Sequence, residues 1–125
     1  VMGSTAGAAL GAPPLTGRVV WVTDGDTVRL ESGERVRIAD IDAPETRAGQ
    51  AHCRAEIVRG ARSTRIARAL LDNRYVSIER VGISYGRTVA RLRLNGADVA
   101  TLLVSQDVAR WWRRGKPKPI WCPTG

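Results

Sequence analysis

Apolar and polar residues change period several times along the chain, and each change marks an element. Arg18-Val19-Val20-Trp21-Val22 is β-branched and aromatic, and residues 27–31 and 34–38 alternate on either side of Ser32-Gly33. Residues 75–79 and 87–94 complete the set; in the latter, Ala90, Leu92 and Leu94 alternate with Arg91 and Arg93. Alternation sends successive side chains to opposite faces, so these segments read as strands with one buried and one wet side. Ser32-Gly33 reads as a hairpin turn and Asn95-Gly96 as another turn.

Between the third and fourth strands the period becomes helical. Ile57, Ala61, Thr64, Ala67 and Leu71 recur on one side of residues 54–71, with Arg54, Arg62 and Arg65 on the other. Gly60 weakens this helix by about 1 kcal/mol relative to alanine, and Asp72-Asn73 ends it. A second helix runs from an Asp98 N-cap to about Gln106. Asp107 then stands where a left-handed glycine cap is expected, which predicts slight strain or a frayed end. Residues 46–52 lack periodicity and read as a loop. This order supports a mixed α+β domain, mainly β.

At 125 residues the chain has the length of one domain, 17–125, after an uncharged, turn-prone tail at 1–16. The tail reads as a flexible lead-in, a remnant of a secretory signal or a tag scar. No apolar run approaches the roughly 20 residues that span a bilayer, so no membrane span is expected.

Charge narrows the function. The net charge is +8, the pI is near 10.9 and the bases are almost all arginine, eighteen against two lysines. Polyanions should be attracted, nucleic acid first among them, with an anionic surface or solubility alone as the other readings. Against this background, seven of the twelve acids crowd into 23–45: Asp24-Gly25-Asp26-Thr27 opens the stretch and Asp40-Ile41-Asp42-Ala43-Pro44-Glu45 closes it. The hairpin between them brings the two clusters together, with Arg37 at the same end. Crowded carboxylates need a cation or a proton to coexist. With no His/Cys constellation for zinc, Ca²⁺, Mg²⁺ or Mn²⁺ fits oxygen ligands better, or the acids are merely turn formers and solvated strand ends.

Three blocks resemble the staphylococcal nuclease (thermonuclease) family: Val-Thr-Asp-Gly-Asp-Thr-Val at 22–28, Arg37 followed by Asp40-Ile41-Asp42-Ala43-Pro44-Glu45, and Tyr85-Gly86-Arg87. Asp98-Val99 and Leu103-Val104 look like its later helix, so the resemblance covers roughly 17–110. It implies a five-stranded barrel of the oligonucleotide-binding kind (OB-fold), with a helix after strand three, a helix after strand five and an active site at one rim. It also implies Ca²⁺ bound by Asp26, Asp42 and the backbone carbonyl of Ala43, with Asp24 close by. Glu45 would activate water, Arg37 and Arg87 would grip phosphate, and Tyr85 would contact phosphate or stack on a base.

Phosphodiester chemistry explains such a set. An anionic diester repels a nucleophile, so hydrolysis needs neutralised oxygens and a base that positions water. Guanidinium forks match pairs of phosphate oxygens. Two departures stand out: Ala43 replaces a common threonine, and Ile83-Ser84 replaces an acid and a base before Tyr85, which bears on substrate affinity more than on chemistry.

The end of the chain interleaves Trp111, Trp112 and Trp121 with Arg113, Arg114, Lys116 and Lys118. Such tracts suit single-strand stacking, or they cover the open end of a core that lacks phenylalanine. Trp121 reads as core cover. Cys53 and Cys122 pair if the protein is exported, pinning the tail and stabilising by roughly 4 kcal/mol; in a reducing cytosol they stay thiols. Export to the periplasm or beyond fits the family. The single histidine, His52, does not make a metal site with Cys53. The expected function is a Ca²⁺-dependent phosphodiesterase acting as a monomer on DNA, RNA or both with little base selectivity. The alternative is a noncatalytic nucleic-acid-binding module on the same barrel; no protein partner is expected.

Overall fold

The structure, a computed structural model, describes residues 13–123. Residues 1–12 of the expected tail, and 124–125, lie outside the described residues. The elements are β1 (Thr16–Asp24), β2 (Thr27–Leu30), β3 (Arg35–Ile38), β4 (Ile41–Asp42), α1 (Arg54–Leu71), β5 (Tyr75–Ser84), β6 (Arg87–Leu94), β7 (Ala97–Asp98), α2 (Val99–Ser105) and β8 (Arg110–Trp111).

Strands β3, β2, β1, β5 and β6 lie in that order, each antiparallel to the next. A parallel pairing of β3 with β6, through Val36↔Thr88, Arg37↔Val89 and Ile38↔Ala90, joins the two ends into a ring of five strands. The expected α+β, mainly β architecture of the oligonucleotide-binding type is present, with α1 after the third ring strand and α2 after the fifth. Val19, Val22, Val28, Leu30, Val36, Ile38, Ile78, Ala90 and Leu92 fill the ring, and Ala67 and Leu71 of α1 pack with them. The wet faces carry the alternating arginines, as the two-residue period requires. Among the described residues no helix is long and apolar enough to cross a membrane.

Several boundaries differ from the sequence reading. β1 begins at Thr16, whose partner is Ser77, and the Ile78 amide donates to the Leu15 carbonyl at 2.7 Å, so the end of the expected tail belongs to the sheet. β5 runs to Ser84, beyond residue 79, because a bulge between Arg80 and Gly82 carries the β5–β6 hairpin past the barrel. Its exposed Val81 and Ile83 hide the two-residue alternation there.

The buried side of α1 is also rotated from the predicted one. It consists of Glu56, Gly60, Ser63, Thr64, Ala67 and Leu71, while Ala61 is exposed. These residues are mostly small or polar because they face backbone: the Ser63 hydroxyl donates to the Val108 carbonyl at 2.7 Å. Helix α2 begins as expected, with the Asp98 carboxylate accepting from the Thr101 amide. Asp107 does adopt positive φ, 60°, after it. It is not frayed, since Arg59 donates to both of its carboxylate oxygens at 2.9 and 3.0 Å and Arg62 lies 3.7 Å away.

Candidate active site

The β2–β3 hairpin does what its spacing predicts. Thr27 pairs with Arg37, the Ile38 amide donates to the Asp26 carbonyl, and the Ala43 amide donates to Asp26 Oδ2 at 2.9 Å. Asp26 Oδ1 takes the Thr27 hydroxyl at 2.9 Å, and Asp24 Oδ1 takes the Asp26 amide at 3.1 Å. The two acidic clusters are thereby one. Gly25 permits it, because a Cβ there would lie 2.8 Å from the Ala43 Cβ and 3.0 Å from Val108 Cγ1.

Not every acid of the stretch belongs to this cluster. Glu31 pairs with Arg18, and Glu34 takes a bidentate Arg80 at 2.7 and 2.8 Å plus the Thr88 hydroxyl. Asp40 faces Arg91 and Arg113. Asp24, Asp26, Asp42 and Glu45 remain, and they line a cleft of about 1010 Å³ together with Arg37, Arg87, Tyr85, Trp112 and Lys118. Ala43 lies beneath it, buried, with its amide on Asp26.

Two residues of α1 hold the Glu45 loop against the helix. The buried Glu56 carboxylate accepts the Glu45 amide and the His52 amide, each at 3.0 Å. At Gly60, a Cβ would come within 2.6 Å of the Glu45 carbonyl oxygen and 2.9 Å of the Pro44 oxygen. The helix-weakening glycine is the groove in which the loop lies.

The arginines come from opposite ring strands that β3–β6 pairing makes neighbours. Arg37 donates to the Ile38 carbonyl at 2.8 Å and lies 3.6 Å from Asp26 Oδ2, while Arg87 donates to the Thr27 hydroxyl at 3.4 Å. Tyr85 and Gly86 both have positive φ, 49° and 74°, between the paired Ser84 and Arg87. That is the two-residue turn that matches strand twist, and it leaves Tyr85 93% exposed, which makes it no packing residue.

The opposite wall comes from the end of the chain. β8 pairs with β4, placing Arg110 opposite Asp42. A disulfide joins Cys53 to Cys122, as expected for an oxidised pair. Trp121 is buried, as predicted, but it is more than cover: its Nε1 donates to Asp42 Oδ2 at 2.7 Å, and Arg59 and Arg110 lie over its ring. Trp112 lines the cleft, whereas Trp111 stays partly exposed beneath Arg113.

Crowding shows in the proton affinities. Burial, then the charges of Asp26 and Glu45, push the Asp24 carboxyl up to about 8. Burial also raises Asp42, against the lowering pull of Trp121 and Lys118, and it raises Glu45 with help from Asp26. Burial raises Glu56 too, but the amides of Glu45 and His52 outweigh it and hold this carboxyl below its usual range. Burial thus favours the protonated forms of Asp24, Asp42 and Glu45, with neighbouring carboxylates adding to it. Among the described residues no three His, Cys, Asp or Glu side chains group closely enough to cage an ion alone. Two carboxylates at an open cleft suit a hard cation that keeps solvent or substrate oxygens.

Sequence reasoning missed Glu56, Lys118 and the Trp121–Asp42 bond. Glu56 carried one usable signal, an acid in the first turn of an arginine-rich helix. The other two carried none, being contacts across 76 and 79 residues.

A search of curated proteins finds no match to the chain. A family model described as staphylococcal nuclease homologue matches residues 35–119. That range starts beyond Asp24 and Asp26, yet the hairpin carries both into the cleft formed by the matched residues. With most of the chain matched and all three sequence blocks on one cleft, the chain belongs to the staphylococcal nuclease family.

Proposed function

We propose that the chain is a calcium-dependent phosphodiesterase that hydrolyses DNA, RNA or both with little base selectivity. The observation that carries this reading is one cleft lined by Asp26, Asp42 and Glu45 together with Arg37 and Arg87. Asp26, Asp42 and the Ala43 carbonyl would hold the cation, with Asp24 behind them. When bound, a divalent cation neutralises charge on the phosphate.

The rest falls to side chains. Arg37 and Arg87 hold nonbridging phosphate oxygens, and their planar forks fix the diester in the cleft. Glu45 takes a proton from a water whose oxygen attacks phosphorus. The opposite P–O bond breaks, and the departing oxygen is protonated from solvent. Burial raises the proton affinity of the Glu45 carboxylate, which makes it a stronger base than a solvated one. Exposed Tyr85 offers a ring at the cleft edge on which any base can stack. Affinity should come mainly from phosphate contacts and fall steeply with salt.

The closed Cys53–Cys122 bridge supports an oxidising, exported location. The deciding experiment is cleavage of single-stranded DNA, duplex DNA and RNA with Ca²⁺, with Mg²⁺ and with chelator, beside Glu45→Gln. Ca²⁺-dependent cleavage that collapses in the variant is expected. No cleavage by folded protein would favour a noncatalytic binding module, with Ile83 and Ser84 the first residues to examine.

A further inference from the structure

Lys118 is the only lysine lining the cleft, and the fold holds it there with several independent contacts. Its Nζ lies 3.3 Å from Asp42 Oδ1 and 3.4 Å from Oδ2. The adjacent chain is fixed by the Cys53–Cys122 bridge, by the Trp121 bond to Asp42 and by the Arg110 side chain, which donates to the Ile120 carbonyl at 2.7 Å. Pro117 and Pro119 flank the lysine, so the backbone that presents it is restricted on both sides. The Lys118 side chain keeps 41% of its surface exposed while that of Asp42 is 3% exposed.

The ammonium has three donors, and Asp42 is its sole acceptor among the described residues. Its Nζ also lies 5.7 Å from the centre of the Trp112 ring, in the cleft that Arg37 and Arg87 line from β3 and β6. We propose that Lys118 is a substrate-contacting residue, a third cation that takes a nonbridging phosphate oxygen of the nucleic-acid backbone from the tail side of the cleft. This rests on the nuclease reading for the substrate class but not for the contact itself. A lysine serves this role as a compact point charge, where the arginines serve as forks.

The test measures binding separately from turnover. Fluorescence anisotropy of fluorescein-labelled oligothymidylate is titrated with Ca²⁺ in the Glu45→Gln background, over a series of salt concentrations. Each phosphate neutralised on a single strand contributes a slope of about 0.7 in log K against log salt. Adding Lys118→Ala is expected to weaken binding about fivefold at low salt and to reduce the slope by about 0.7. Lys118→Arg is expected to keep the slope, and Lys116→Ala, outside the cleft, to behave as the parent. An unchanged slope in Lys118→Ala would overturn the proposal. So would unchanged binding with a lower Ca²⁺ requirement, which would make Lys118 a counter-ion of Asp42 only. Failure of the wild-type protein to cleave would sink the nuclease reading while leaving the slope result standing.

Discussion

Replacing Gly60 with alanine sets two physical effects against each other. Helix propensity alone favours the change by about 1 kcal/mol, since glycine sits in the middle of an 18-residue helix. Tertiary contact opposes it. The added Cβ would lie 2.6 Å from the Glu45 carbonyl oxygen, 2.9 Å from the Glu45 carbonyl carbon and 2.9 Å from the Pro44 oxygen. Ordinary contact begins near 3.4 Å, so the loop must retreat by roughly 0.8 Å. Every atom met is backbone, so no side chain can rotate away. Overpacking of this kind costs about 1–3 kcal/mol, which cancels the propensity gain and leaves a net loss of about 1 kcal/mol. The displacement falls on Glu45 itself. For the general base proposed above, a shift of ~1 Å can cost about a hundredfold in rate. Gly60→Ala is therefore expected to lower kcat by about ten- to a hundredfold with little change in KM, and to unfold at slightly lower urea concentration by circular dichroism. A variant more stable by about 1 kcal/mol with unchanged kcat would refute the loop-on-helix contact.

Other expectations rest on different parts of the molecule. Removing the bridge with Cys53→Ser and Cys122→Ser opens a loop of 69 residues; about 4 kcal/mol of stability should go, lowering Tm by ~15 °C in a thermal melt, and an unchanged Tm would deny the bridge its role. Asp24, Asp42 and Glu45 bind protons more tightly folded than unfolded. In chelator, stability should therefore fall as pH rises, for Asp24 between about pH 5 and 8 by up to ~1.4 kcal/mol per pH unit, with Asp42 and Glu45 adding in the same direction. The salt-bridged Glu31 and Glu34 are shifted down, so their contribution is lost only in more acidic solution and does not mask this window. Ca²⁺ should raise Tm more at pH 8 than at pH 5, and a flat Tm across that range in chelator would contradict the crowding of these acids. Glu56→Gln leaves one oxygen to serve two amides, so a loss of about 1–3 kcal/mol is expected in urea melts, together with a lower kcat from a loosened Glu45 loop.

The sequence by itself determined the parts that depend on neighbours along the chain. Alternation set the strands, Ser32-Gly33 and Asn95-Gly96 set their turns, and Asp98 set the start of α2. A hairpin's ends meet whatever surrounds them, so Asp24, Asp26, Asp42 and Glu45 were legible as one cluster before any tertiary contact was known. The same hairpin put Arg37 at their end, but Arg87 was legible only through family resemblance, since no local rule joins two strands so far apart. The tertiary structure decided how the ring closes, through parallel pairing of β3 with β6, and so which arginines face the acids. It also decided the identity of the buried side of α1. Periodicity assumes an apolar partner, but this helix packs against the backbone of the Glu45 loop and of Val108, which selects Gly60 for size, Glu56 for its acceptors and Ser63 for its donor. Trp121 and Lys118 reach Asp42 because a disulfide and a two-residue strand pairing fold the tail back across the site. Contacts of that separation are set by the packed whole, so no stretch of sequence specifies them alone.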